Sequence, residues 1–166
     1  MKQSHKVLAN VALFQMAWFA GAVYTSSAVL FMLLCLIVNL TIGKFNPRDL
    51  VLVVVGVMGF MCDLALVKLG LLDVARSPFP FWLMLIWCLF TLSLNYSLAF
   101  VAALKPYWVF LLGAVFGPLS YFGAGKLGAL IYPSDLSLIM IHSVFWGVTF
   151  FMLSVILKRL HLVKTN

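Results

Sequence analysis

The sequence predicts an all-α, polytopic transmembrane bundle of six spans with both termini cytoplasmic. Three observations predict it. Apolar stretches fill nearly the whole chain, with 65% of its 166 residues hydrophobic and only 9% charged. Soluble domains carry roughly 25% charged residues. The mean hydropathy is +1.16, and the basic residues gather on alternate connections between the apolar runs. The length allows a single transmembrane domain, residues 1–166, and no second one.

A spanning helix needs about 20 apolar residues, within a range of about 17–25. The expected spans are 7–23, 28–42, 50–67, 81–104, 107–131 and 136–157. The first two are separated only by a tight turn around Tyr24-Thr25-Ser26-Ser27. The polar loop from Gly43 to Asp49 separates the second and third, and the segment from Asp73 to Pro80 the third and fourth. Lys105-Pro106 punctuates the fourth and fifth, and Pro133-Ser134-Asp135 caps the sixth.

With the N-terminus inside, the cytoplasmic side receives Lys2, Lys6, Lys44, Arg48, Lys105, Lys158, Arg159 and Lys164. The other side receives Lys68, Arg76 and Lys126. Eight against three fits the positive-inside rule for this topology. The opening also resembles a secretory signal peptide: Lys2 and Lys6, then an apolar run, then Ala20-Gly21-Ala22. Gln15, Trp18 and Phe19 argue against cleavage, so the first stretch is expected to stay as a span. Two inverted halves of three spans, as in some transporters, share no residue pattern.

Asp63 is the sharpest chemical signal. It lies about 7–8 Å from the outer end of the third span, at 1.5 Å per residue. An aspartate at a helix centre costs about 2.5–3.5 kcal/mol on insertion scales. Gly56, Gly59 and Asp63 share a helix face, and the glycines allow a neighbour to approach closely. Asp63 is therefore expected to point into the bundle as a proton carrier, substrate anchor or general base, or as a structural hydrogen-bonded lock. Lys126 is its partner, a ligand for an anionic headgroup, or a lysine that snorkels to the headgroups. His142, with Trp146 at i+4, sits in the outer half of the sixth span and completes a possible acid–base cluster.

A deeper polar tier comprises Gln15, Asn39 and Asn95, the last sharing a face with Cys88 and Thr91. Interhelical hydrogen bonds explain such residues, at about 0.6 kcal/mol each; a polar path is the alternative. Gly113, Gly117, Ser120, Ala124 and Gly128 form a small-residue stripe expected to pack tightly, and Pro118 is expected to kink the fifth helix. Trp82, Tyr107, Trp108 and Tyr132 fit an interfacial belt. Cys35, Cys62 and Cys88 lack C-x-x-C spacing and read as packed thiols. No metal site is expected: the chain has no glutamate, and His5 and His161 lie in the tails. No cofactor motif and no basic–aromatic patch for nucleic acid is present.

Phe14-Gln15 followed by Trp18, the lone Asp63, and Gly117-Pro118-Leu119-Ser120-Tyr121 leading to Gly125-Lys126-Leu127-Gly128 carry a resemblance. The chain resembles, over nearly its whole length, a family of small bacterial inner-membrane proteins whose domain has no known function. Arginine often stands in that family where this chain has Lys126. The resemblance implies a bacterial inner-membrane location. It also implies a lipid-related role, because such genes often lie near genes for membrane fatty-acid modification, cyclopropane-synthase-like enzymes among them. It assigns no catalytic residue.

The chain thus reads as a non-enzymatic or accessory membrane protein that binds, moves or presents acyl lipid, with membrane lipids as partners and lipid-modifying enzymes as candidates. Its oligomeric state stays open. The alternatives are a small proton-coupled transporter using Asp63 and a membrane-embedded enzyme with Asp63 and His142 as acid and base. Lipid handling predicts an apolar groove with a lateral opening, and transport a water-filled path between the polar tiers. An enzyme predicts Asp63 and His142 within hydrogen-bond reach, and pure packing predicts paired polar groups with no cavity.

Overall fold

The computed structural model describes residues 3–70, 72–74 and 79–162. Lys2, Arg76 and Lys164, which entered the charge count, lie outside them. The described residues form six α-helices and no strand: α1 (Gln3–Tyr24), α2 (Val29–Ile42), α3 (Pro47–Lys68), α4 (Phe81–Ser93), α5 (Pro106–Lys126) and α6 (Leu136–Leu162). Four apolar stretches are long enough to cross a bilayer: Gln3–Ile42, Pro47–Lys68, Pro106–Lys126 and Leu136–Leu160. The surface agrees, since Leu30, Met58 and Phe116 are 81%, 64% and 63% exposed. Apolar exposure on this scale marks a surface that meets lipid or protein rather than water.

The first of those stretches is bent back on itself. Thr25 takes φ 48°, and a 3-10 turn over Thr25–Ala28 starts the return. Met32 Cε comes within 3.1 Å of where a Cβ on Gly21 would stand. In a straight helix those residues would be about 16 Å apart. The expected tight turn is therefore present, but α2 has only 14 residues. That rises about 21 Å, against about 30 Å of hydrocarbon.

The fourth expected span, 81–104, is not one helix. α4 stops at Ser93 after 13 residues, and turns lead into a 3-10 segment, Ala99–Ala103. The cause is local and tertiary together. The Ser93 hydroxyl donates back to the Leu89 carbonyl at 3.0 Å, a pattern that loosens a helix. The next amides shift to the tighter i−3 acceptors, Leu94 to Thr91 and Asn95 to Leu92. The side chains of Asn95, Tyr96 and Ser97 are each taken by a residue on another helix. The fifth helix likewise ends at Lys126 instead of Ile131, because Gly128 takes φ 90° and closes a Schellman cap in which the Ala129 amide donates to the Ala124 carbonyl.

α4 is the centre of the molecule. Trp82, Leu85, Trp87, Leu89, Leu92 and Ser93 are all buried, as expected for a helix covered on every side. α3 packs along it, α1 and α2 cover another flank, and α5 pairs with α6. The α3–α4 contact explains Cys88 and Thr91. Thr91 Oγ1 donates to the Leu52 carbonyl at 2.7 Å, and Cys88 Sγ lies 3.7 Å from the Val53 carbonyl. Gly56 makes this approach possible, since a Cβ there would stand 2.7 Å from Cys88 Cα. Backbone cannot yield as a side-chain tip can. Gly56→Ala is expected to cost about 1–3 kcal/mol through overpacking, read as a lower thermal midpoint in mild detergent. An unchanged midpoint would contradict this packing.

Cys35 and Cys88 are buried as expected, whereas Cys62 is exposed. Of the anticipated belt, Tyr107 and Trp108 are exposed, but Trp82 is 1% exposed and belongs to the core. Its position at the start of α4 puts it in the most enclosed helix instead of at a lipid boundary.

Candidate functional site

A cavity of about 530 Å³ lies between α1, α4, α5 and α6. Nearly half of its wall is aromatic, including Phe14, Trp18, Trp87, Phe90, Trp146 and Phe150. Among the described residues no charged side chain lines it. Gln15, Phe100, Phe116 and Leu119 both line it and are exposed. The cavity therefore opens on the exposed apolar surface between α1 and α5. One hydrogen bond spans this boundary, from Trp18 Nε1 to Ser120 Oγ at 3.1 Å.

Helix packing builds the inner wall. Trp87 and Trp146 stack with ring centroids 4.9 Å apart and planes 10° off parallel. Gly113 and Gly117 leave room for α6 at Trp146 and Phe150. The small-residue stripe is therefore a packing face over that stretch. Ser120 serves the Trp18 bond, and Gly128 meets nothing within 4 Å because it is a turn residue. Pro118 is buried within α5, where its missing amide leaves the Ala114 carbonyl without its usual helical donor.

Asp63 sits directly behind this wall and is 0% exposed. As its spacing with Gly56 and Gly59 implied, it points at α4. Its Oδ2 accepts a hydrogen bond from Trp87 Nε1 at 2.6 Å and a second from the Tyr121 hydroxyl. Oδ1 has no partner among the described residues. The carboxyl thus joins α3, α4 and α5, and both of its donors are cavity-wall residues. Lys126 is not its partner: it is exposed, with Nζ 5.2 Å from the centre of the Phe122 ring.

His142 is near Asp63 but does not bond to it. Its Nδ1 shares a 2.9 Å hydrogen bond with the Tyr132 hydroxyl. Burial pushes the Tyr132 phenol above its ordinary pKa, so it stays protonated at neutral pH. The His142 ring stands edge-on to Tyr121 at 4.8 Å. Tyr121 is therefore the common neighbour of Asp63 and His142. Two buried nitrogens beside it, His142 Nε2 and Trp146 Nε1, have no partner among the described residues.

The expected deeper tier divides. Gln15 is at the cavity mouth, while Asn39 and Asn95 belong to the opposite end of the bundle. There Asp49, 0% exposed, accepts from Asn95 Nδ2 at 2.7 Å and from the Tyr96 hydroxyl at 2.6 Å. Ser97 Oγ donates to Asn10 Oδ1 at 2.6 Å. Asn39 is buried, with its amide nitrogen unpartnered among the described residues. Asp49, Tyr96 and Asn10 were not singled out in the sequence. Asp49 reads as an ordinary first-turn acid after the N-cap Asn46, and only the fold reveals its burial.

Fold and site together define a helical membrane-type protein with a side-opening aromatic cavity backed by one buried carboxyl. The chain belongs to the family described as protein of unknown function (DUF2878), whose model matches residues 7–152. No curated protein and no solved structure matches it significantly.

Proposed function

We propose that this protein is a six-span membrane protein, with both termini cytoplasmic, that draws a long-chain lipophilic molecule sideways from the bilayer into its cavity. The observation that carries the proposal is the aromatic cavity with its lateral mouth. Pockets for small molecules are concave, mostly apolar and about 300–1,000 Å³ in size, and this one holds about 530 Å³. We place it in a bacterial inner membrane as a non-enzymatic accessory in lipid acyl-chain handling, working beside lipid-modifying enzymes. The six-span topology is supported by the hydrogen bonds that gather Asn10, Asp49 and Asn95–Ser97 at one end. It is supported equally by the basic residues, which favour that same end. α2 and α4 complete their crossings through the flanking 3-10 and turn segments. Non-helical backbone is tolerated at membrane depth where it is buried in protein or lines a cavity, and Leu98, Phe100 and Val101 line this one.

A proton-coupled carrier is the second reading, favoured by the unpartnered Oδ1 of Asp63. The uncharged wall weighs against a water-filled path. An acid–base enzyme gains less support, since His142 pairs with Tyr132.

The test is lipid mass spectrometry on cells lacking the gene, restored with the wild type or with Leu112→Trp. Leu112 lines the cavity, and an indole there narrows it. An altered acyl-chain profile restored by the wild type and not by an equally abundant Leu112→Trp protein is expected. Equal restoration by both would remove the cavity from the function.

A further inference from the structure

The chemistry of the cavity's inner wall narrows the ligand further, on the reading that the cavity is a ligand site. Four of the chain's five tryptophans, Trp18, Trp82, Trp87 and Trp146, are on that wall, with Tyr121 beside them. Aromatic rings carry negative potential over their faces and attract cations, more strongly where water is excluded. Behind them is a fully buried carboxyl whose two hydrogen bonds both come from wall residues. Donating a hydrogen bond to a carboxylate makes the ring of the donor more electron-rich. Among the described residues no basic side chain lines the cavity, and Lys126 is exposed against Phe122 instead. An anionic head would find no counter-charge here.

We infer that the cavity takes a single-chain amphiphile with an alkylammonium head, the chain lying toward the lateral mouth and the head against Trp87, Tyr121 and Trp146. Asp63 polarises those rings through the two hydrogen bonds it accepts. It is a positioning residue and does not touch the ligand.

The test uses the full chain in nanodiscs of zwitterionic lipid, with tryptophan fluorescence as the readout. The probes are dodecyltrimethylammonium, its uncharged analogue with a tert-butyl head, and laurate. The ammonium is expected to bind about tenfold more tightly than the analogue, a preference between those of an exposed and a desolvated cation–π contact. Asp63→Asn is expected to reduce that preference. The wild-type comparison alone decides the point if the variant does not fold. Equal saturable binding of all three probes would overturn the ammonium head while the cavity reading stands. No saturable binding of any probe would overturn both. A preference that survives intact in a folded Asp63→Asn protein would overturn the role given to Asp63.

Discussion

Asp63→Ala is expected to be among the most destabilising substitutions in this protein. It strips the acceptor from Trp87 Nε1 and the Tyr121 hydroxyl at once, and Trp87 is 2% and Tyr121 6% exposed. A buried donor left without a partner costs about 1–3 kcal/mol, so two cost about 2–6 kcal/mol. A whole domain is stable by only about 5–15 kcal/mol, so the loss is severe. It should be read as a fall in the thermal midpoint in mild detergent. Asp63→Asn keeps one carbonyl oxygen that both donors can use and should lose much less. The decisive variant removes all three partners together, Asp63→Leu with Trp87→Phe and Tyr121→Phe. Because nothing polar is then stranded, it should be more stable than Asp63→Leu alone. If the triple variant is the less stable of the two, the hydrogen bonds are not what makes Asp63 matter to the fold.

Much of this arrangement was written in the helix periodicity. The spacing of Gly56, Gly59 and Asp63 identifies the face of α3 that meets α4, and Gly56 does receive the Cys88 backbone. The partners of Asp63 were less legible. A search for a counter-charge leads to Lys126, because charge is the conspicuous property in an apolar sequence. The donors are instead Trp87 and Tyr121, which count as apolar by composition. The available signal was that a tryptophan or tyrosine inside a bundle still needs an acceptor for its one polar hydrogen. Asp63 is one of only four acidic residues in the chain.

The end of α4 was illegible for a different reason. Residues 81–104 are apolar throughout, with Asn95 the most polar interruption, and hydropathy cannot distinguish a continuous span from a broken one. Thr91, Ser93, Asn95 and Ser97 are tolerable helix residues taken singly. What breaks the helix is that three successive side chains, Asn95 to Ser97, find partners on α1 and α3. Tertiary bonds of this kind cannot be read from a local pattern. The same limit hides Asp49, which lies about 21 Å from Asp63 along α3 at 1.5 Å per residue. Its burial depends on chain distant in sequence folding over it.

That distant contact gives the second large prediction. Asp49→Ala removes the acceptor of the Tyr96 hydroxyl and one acceptor of Asn95, and so unpins the non-helical stretch after α4. Beyond these bonds the stretch is held by the Ser97–Asn10 bond and by the burial of Leu94 and Val101, while Phe100 is 55% exposed. Segments with few buried contacts open locally at lower free energy than the helices around them. Amide hydrogen exchange over residues 94–103 should therefore speed up by about tenfold or more, the equivalent of about 1.4 kcal/mol of local stability. Exchange in α5 and α6 should stay near its wild-type rate. Because Leu98, Phe100 and Val101 form part of the cavity wall, the same variant should weaken binding of neutral and charged chains alike. Asp63→Asn, by contrast, should weaken binding of the charged head more than that of the neutral chain. The two carboxyls are thereby assigned separate work: Asp49 fixes the wall, and Asp63 sets what the wall prefers. If Asp49→Ala leaves exchange over 94–103 unchanged, the hydrogen bonds to Asn95 and Tyr96 do not hold that segment, and its shape is dictated by its apolar packing and the Ser97–Asn10 bond.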